Sequence, residues 1–201
     1  MKISEKWLRQ WVNPNLSAEQ IGEQLTMAGL ELDDLTRVAK DFSGVVVGEV
    51  LTVEQHPDAD KLKVTTVNVG DAGNGEPLQI VCGAPNVAVG IKVPVALVGA
   101  KLPSATNDDK PFNIKKGKLR GVESNGMLCG GSEIDMDDGV DGLLILPNDA
   151  PIGQDIRGYL GLDDHVLDIS ITPNRGDCFS IRGIARELAV NNKLPFQRPF
   201  D

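Results

Sequence analysis

The stretch His56-Pro57-Asp58-Ala59-Asp60-Lys61-Leu62 lies between two β-rich runs, residues 45–53 and 64–69. Pro57 fixes its own φ and biases His56 towards an extended backbone, while Asp58 and Asp60 belong to the residue types that bond nearby backbone N–H groups in turns. The expectation is a rigid loop that presents Lys61 and Lys63 at the start of the next strand. From spacing alone, it is a capped turn joining two strands.

Short β-branched runs recur outward from this loop, at residues 45–53, 64–69, 78–82 and 92–98, with a weaker one at 112–119. Turn residues separate them: residues 71–75, Gly90, Pro103-Ser104 and Asn107-Asp108-Asp109. Some five strands in about a hundred residues predict a small barrel or sandwich. Met127-Leu128 and residues 143–146 are expected to add a short closing pair of strands. The acidic run at residues 133–138 lacks the ligand order of an EF-hand and reads as a solvated loop.

The flanks have a different period. Trp7, Leu8 and Trp11 fall at helical spacing, Pro14 ends that helix, and the two indoles are expected in a core. Ser17 and Gln20 have the spacing of a capping box, Ile21, Leu25 and Ala28 line one face, and Gly29 is suited to the residue after the helix. Residues 30–38 look extended. After Pro151 a short helix is predicted at 155–160 and a strand at 166–171. A last helix runs to about Asn191, capped by Asp177 or its neighbouring turn, with Ile181, Ile184, Ala185, Leu188 and Ala189 on one face. Residues 194–201 carry two prolines and two aromatics and read as a linker into a further domain.

Neither flank is long enough to bury a core alone. The economical arrangement is one helical domain built from residues 1–38 and 151–193, with the β domain, residues 39–150, inserted into it. The expected class is α+β.

Composition narrows the function. The chain has 201 residues and a formal charge of −9, so general affinity for nucleic acid is excluded and DNA is not expected as a partner. Any RNA contact must come from a local patch. Lys115, Lys116, Lys118 and Arg120 supply one, and on a strand Lys116, Lys118 and Arg120 would share a face. Between Phe42 and Pro147 the only aromatics are Phe42 and Phe112, which argues against sequence-tolerant base stacking.

No apolar run approaches the roughly 18 residues of a membrane span, so no membrane role is expected, and the start lacks a signal-peptide core. Cys82, Cys129 and Cys178 contain no CxxC pair, and with His56 and His165 they offer no metal-ligand spacing; they read as reduced structural thiols. No Gly-rich phosphate loop precedes a helix, and no nucleophile has a recognisable setting, so no catalytic residue is assigned.

The heptapeptide resembles the signature loop of the tRNA-binding OB-fold module. Two later stretches fit the same module in order: Ile80-Val81-Cys82-Gly83-Ala84-Pro85-Asn86 and Ser124-Asn125-Gly126-Met127-Leu128-Cys129. Outside it, Met27-Ala28-Gly29-Leu30-Glu31, Thr172-Pro173-Asn174-Arg175-Gly176-Asp177-Cys178 and Gly183-Ile184-Ala185-Arg186-Glu187-Leu188 look like the surroundings of that module in one family, the N-terminal part of the bacterial phenylalanyl-tRNA synthetase beta subunit.

This resemblance implies an OB-fold barrel inserted into a small split, nucleic-acid-binding-like helical domain. It implies a cytoplasmic enzyme of two alpha and two beta chains that joins phenylalanine to tRNA(Phe) using ATP and Mg2+, both bound outside these residues. The loop His56, Pro57, Asp58, Ala59, Asp60 and Leu62, the turn Ser124, Gly126 and Met127, and the cations Lys61, Lys63, Lys115, Lys116, Lys118 and Arg120 are then the tRNA-binding candidates. The reading from another class is an assembly module whose barrel packs on protein and binds no RNA. Gly130-Gly131 departs from the family's pattern, as does Ile134-Asp135, and the extra glycine is expected to loosen that loop.

Overall fold

The computed structural model describes residues 1–103, 111–136, 139 and 141–199. The turn positions Ser104, Asn107, Asp108 and Asp109 and the acidic pair Asp137-Asp138 lie outside them. The chain divides into two compact units: Met1–Val38 with Asp163–Asp201, and Ala39–Leu162.

The first unit begins with strand β1 (Lys2–Ser4) and helix α1 (Glu5–Trp11), followed by α2 (Ala18–Met27) and β2 (Glu31–Arg37). Ser17 and Gln20 form the expected capping box on α2. The far end is a Schellman motif, in which Leu30 N–H reaches Leu25 C=O and Gly29 N–H reaches Thr26 C=O, each at 2.9 Å, with Gly29 at φ +83°.

Four further elements fall after residue 150: α3 (Ile156–Leu160), β11 (His165–Ser170), a 3₁₀ turn at Pro173–Cys178 and α4 (Ile181–Asn192). Of these, β11 forms the centre of an antiparallel sheet ordered β1-β11-β2. Both sequence segments therefore supply one core, in which Leu8, Ile21, Leu25, Leu167, Ile169, Ile184 and Leu188 are fully buried.

That sheet corrects the description of this domain as helical: β2 and β11 fall on the stretches expected to be extended, at 30–38 and 166–171, and β1 is the strand that was not expected. A three-residue strand such as β1 is too short to show a period. Trp7 is 44% exposed rather than core, while Trp11 packs against Phe196, with ring centroids 5.6 Å apart. Gln197 N–H also donates to Trp11 C=O at 2.8 Å, so the start of the expected linker folds back on α1. Ser180, not Asp177, caps α4 by accepting from Gly183 N–H.

In the second unit a sheet is ordered β10 (Gly126–Leu128), β6 (Lys92–Leu102), β3 (Ser43–Gln55), β4 (Lys63–Asn68) and β5 (Leu78–Cys82), all antiparallel. A two-residue strand, β7 (Phe112–Asn113), pairs with β6, and β8 (Gly117–Leu119) pairs with β9 (Val122–Ser124) as a separate hairpin. The continuous run Val45-Val46-Val47 is explained by burial on both faces of β3. Val45 and Val47 join one apolar cluster with Phe42 and Ala96, and Val46 joins another with Val67, Val93 and Leu128.

No continuous ladder closes this sheet into a barrel among the described residues. Its edges meet through single bonds: Asn125 N–H donates to Gln79 C=O at 2.9 Å, and Val81 N–H donates to Ser124 Oγ at 3.1 Å. Residues 143–146 contribute one isolated bridge, Lys92 with Leu146, rather than a strand.

Residues 151–162 pack with this β unit and not with the second helical segment. Ile156 and Leu162 are buried in the Phe42 cluster, and the Arg157 guanidinium lies 4.7 Å from the Phe42 ring centroid. The division therefore falls after Leu162, where the sequence had placed it after residue 150.

Candidate functional site

The loop at residues 56–62 is shaped by two side chains. His56 is buried; its Nδ1 accepts from Asp58 N–H at 3.1 Å, and its Nε2 lies 3.0 Å from Leu119 C=O. A carbonyl only accepts and a backbone N–H only donates, so the ring carries its hydrogen on Nε2. Gln55, at the end of β3, donates from Nε2 to Ala59 C=O at 3.0 Å and Asp60 C=O at 3.1 Å, and its Oε1 accepts from Lys63 Nζ. Asp58 and Asp60 were the expected organisers; His56 and Gln55 do that work.

The second part is the β8–β9 hairpin. Leu119 pairs with Val122, and the two residues between them, Arg120 and Gly121, have φ of 45° and 88°. Positive φ at both central positions is the signature of a type I′ turn. The expected three-cation face is therefore absent. Lys116 precedes the strand, Arg120 sits in the turn, and only Lys118 of the three lies within β8. Gln79 Nε2 donates to Glu123 C=O at 2.8 Å and ties this hairpin to β5.

Loop and hairpin are joined directly. Besides the His56–Leu119 bond, Arg120 Nη1 donates to Asp58 C=O at 3.4 Å. Lys61, Lys115, Lys116, Lys118 and Arg120 are exposed and Lys63 is half-buried. Residues 56–63 and 115–124 together hold six cations against three carboxylates, a local excess of positive charge in a chain of −9. Lys116 is ion-paired: its Nζ lies 3.1 Å from Glu123 Oε2 and holds the Glu123 carboxyl below its ordinary range.

The turn Ser124-Asn125-Gly126-Met127 is structural in its bonding. Ser124 is buried and donates from Oγ to Gly126 C=O at 3.0 Å while accepting from Val81 N–H. Gly126 has φ +148°, and a Cβ there would stand 2.7 Å from Ala96 O, so the close crossing with β6 requires glycine. Met127 pairs with Ala96 in the ladder.

Gly130 also departs from expectation. It is buried, a Cβ on it would lie 2.1 Å from Gly142 O, and its N–H donates to Glu133 Oε2 at 2.7 Å. The residue makes a tight crossing rather than a loose loop. Asp135, in the acidic run read as solvated, accepts from Lys40 N–H at 2.9 Å and pairs with Lys40 Nζ at 3.3 Å. Asn86 was legible only as a motif residue; it accepts from Leu143 N–H at 2.8 Å and donates to Leu143 C=O at 2.9 Å, in place of a strand partner.

The cysteines offer no reactive thiol. Burial, with Glu133 adding to it, pushes the Cys129 thiol up to about 12, and burial also raises Cys82 and Cys178. In the first unit Asp177, Cys178 and Glu187 come close together. Two guanidinium groups already serve them: Arg175 Nη2 lies 3.0 Å from Glu187 Oε1, and Arg186 Nη2 lies 3.1 Å from Asp177 Oδ2. Arg175 Nη1 also donates to Ala28 C=O at 3.1 Å, which binds the Met27–Glu31 motif to the Thr172–Cys178 motif.

The antiparallel β unit thus carries a local excess of positive charge on a chain whose net charge is −9. Residues 45–155 match the family described as "Putative tRNA binding domain", and the chain belongs to that family. Over 199 residues it is 72% identical to the phenylalanine–tRNA ligase beta subunit of Psychrobacter arcticus, with 99% of this chain and 24% of that protein covered. The same subunit of Acinetobacter baylyi is 68% identical over the same extent. The chain thus spans about a quarter of the length of these curated relatives. A solved MetRS related protein from Pyrococcus horikoshii is 26% identical, with a TM-score of 0.39, covering 56% of this chain and 87% of that one.

Proposed function

We propose that this chain is the tRNA-binding, non-catalytic N-terminal region of a phenylalanine–tRNA ligase beta subunit. In this reading the whole enzyme has two alpha and two beta chains, acts in the cytoplasm on tRNA(Phe), and meets its alpha subunit through the beta chain. The residues 39–162 unit is then an OB-fold whose barrel is completed by single bonds at the Gln79–Asn125 seam. The split unit, a small nucleic-acid-binding-like domain in this reading, carries it. No helix among the described residues is long and apolar enough to cross a membrane.

The observation that carries the tRNA assignment is the junction of the two cationic segments through His56 and Leu119. Lys61, Lys63, Lys115, Lys118 and Arg120 face phosphates from one joined surface, with Lys116 recruited from Glu123. Each phosphate they neutralise releases condensed counterions, which makes binding favourable and salt-dependent. The net negative charge acts over a distance screened within roughly 8 Å at physiological ionic strength, so the local cations dominate near the surface. Two exposed carboxylates in the loop, Asp58 and Asp60, oppose non-specific polyanion binding and favour an RNA whose backbone avoids them.

In this reading ATP and Mg2+ are bound outside these residues. The Gly70–Gly73 turn is a 3₁₀ element between strands with no helix behind it, and the Asp177 carboxylate cluster is already neutralised by arginines. No step of aminoacylation is therefore assigned to these residues.

Titrating fluorescently labelled tRNA(Phe) with the chain at low salt tests the proposal. Saturable binding that salt weakens is the expected result. No binding at low salt would leave the assembly-module reading in its place.

A further inference from the structure

A groove of about 600 Å³ opens beside the cationic hairpin, and neither the strands nor the loop contacts described above account for it. Its walls are the Val81–Pro85 turn, the segment from Phe112 to Gly117, and the Met127–Leu128 end of β10. Phe112 lines it while remaining 57% exposed. The two other aromatics of this unit lie elsewhere: Phe42 is 6% exposed and covered by Arg157, and Tyr159 packs against the Phe42 cluster. Among the described residues no ring or guanidinium stacks on Phe112, and Lys115 stands on the same wall.

The polar groups of the groove are carboxylates, Glu133 and Asp141, with Ser132 beside them. Gly130 N–H holds one oxygen of Glu133 in place. Carboxylates repel a phosphate but accept from the exocyclic amino groups of bases. A slot with an aromatic wall, carboxylates within it and one cation is complementary to a nucleobase whose phosphate stays outside.

We propose that this groove receives one unpaired nucleotide of the bound RNA, its base stacked on Phe112, its amino edge towards Glu133 or Asp141 and its phosphate near Lys115. The proposal rests on the tRNA-binding reading and adds to it a site for a single splayed base. One ring cannot supply the row of platforms that sequence-tolerant binding of a single strand needs, but it can hold one base, and the carboxylates favour bases that carry an amino group. A structured RNA held by its phosphates would thus be distinguished from a fully paired one.

The test uses two labelled RNA stem-loops, each closed by a non-nucleotide linker so that no loop base is unpaired, one blunt and one with a short unpaired 3′ tail, titrated with wild type and with Phe112→Ala and Phe112→Trp. Wild type is expected to prefer the tailed RNA by about fivefold or more, the low end of what one stacked base is worth. Phe112→Ala should abolish that preference and Phe112→Trp should keep it. Side-chain NMR signals of Phe112 and Met127 should move with the tailed RNA and not with the blunt one. Equal binding of both RNAs by wild type, or a preference that survives Phe112→Ala, would overturn the groove assignment while leaving tRNA binding intact. Failure of the chain to bind either stem-loop or tRNA would overturn both.

Discussion

His56 donates from Nε2 to the carbonyl of Leu119 at 3.0 Å, across 63 positions of sequence, and so fixes the position of one cationic segment relative to the other. The two ring bonds separate cleanly in substitution. Glutamine places its amide near Nε2 and asparagine places its oxygen near Nδ1. His56→Gln is expected to keep the Leu119 bond and bind tRNA within about twofold of wild type, whereas His56→Asn keeps only the Asp58 bond. A net hydrogen bond of about 1 kcal/mol corresponds to roughly fivefold, and His56→Asn should weaken tRNA binding by up to that amount. Equal affinities for the two variants would show that the junction does not matter to binding.

Glu123 competes with RNA for Lys116. At neutral pH its carboxyl is ionised, since the Lys116 ammonium holds it below its ordinary range. Glu123→Gln removes the competitor and one repelling charge, so tRNA affinity at low salt should rise by about two- to fivefold, the modest gain expected from releasing an exposed ion pair. Anisotropy titration of labelled tRNA measures this directly, and a weakened affinity would contradict it.

Gly130→Ala is expected to destabilise the β unit by about 1–3 kcal/mol, because the added Cβ meets Gly142 O at 2.1 Å. A shift of the urea midpoint to lower concentration with unchanged slope is the expected signature. A variant as stable as wild type would restore the view of this segment as a loose loop.

The acid response of the split unit should depend on Asp177. Its carboxyl is held below the ordinary aspartate range by the Cys178 thiol, which donates to it, and by Arg175 and Arg186. A depressed carboxyl contributes stability above its unfolded value and loses it as pH falls through the folded one. Asp177→Asn should therefore cost stability at neutral pH and narrow to no difference well below pH 3.8. Thermal melts across that range would show it, and a difference that grows on acidification would contradict the sign.

Removing residues 39–162 and joining the ends by a short linker should leave a cooperatively folding unit. Val38 N–H already donates to Asp164 C=O at 3.0 Å, so the gap is small, and the buried core of that unit comes from both segments. Broad, non-cooperative melting would show that the two ends do not fold as one.

Local signals were the ones the sequence stated plainly. The capping box at Ser17, the glycine after α2, the apolar face of α4 and the long β runs all depend on neighbours within a turn or two. What escaped depends on distant partners. Nothing near His56 points to the Leu119 carbonyl, and the need for glycine at Gly130 lies in Gly142. The three-cation face failed because alternation was extended through Arg120-Gly121, where a Gly after a short β run already signalled a turn. The second boundary was misplaced because Pro151 marks a turn, whereas Ile156 and Leu162 are what attach that segment to the β unit. Gln55 carried no motif signal at all, since an amide at a strand end has many ordinary uses.

The central claim is that loop and hairpin form one surface that neutralises phosphates. The most direct test is the slope of log affinity against log salt for tRNA, measured for wild type, for Lys61→Ala with Lys63→Ala, and for Lys118→Ala with Arg120→Ala. Each lost phosphate contact lowers the slope by somewhat under one unit. Both double variants are expected to bind more weakly and with a shallower slope than wild type. Unchanged affinity and slope in both would contradict the claim.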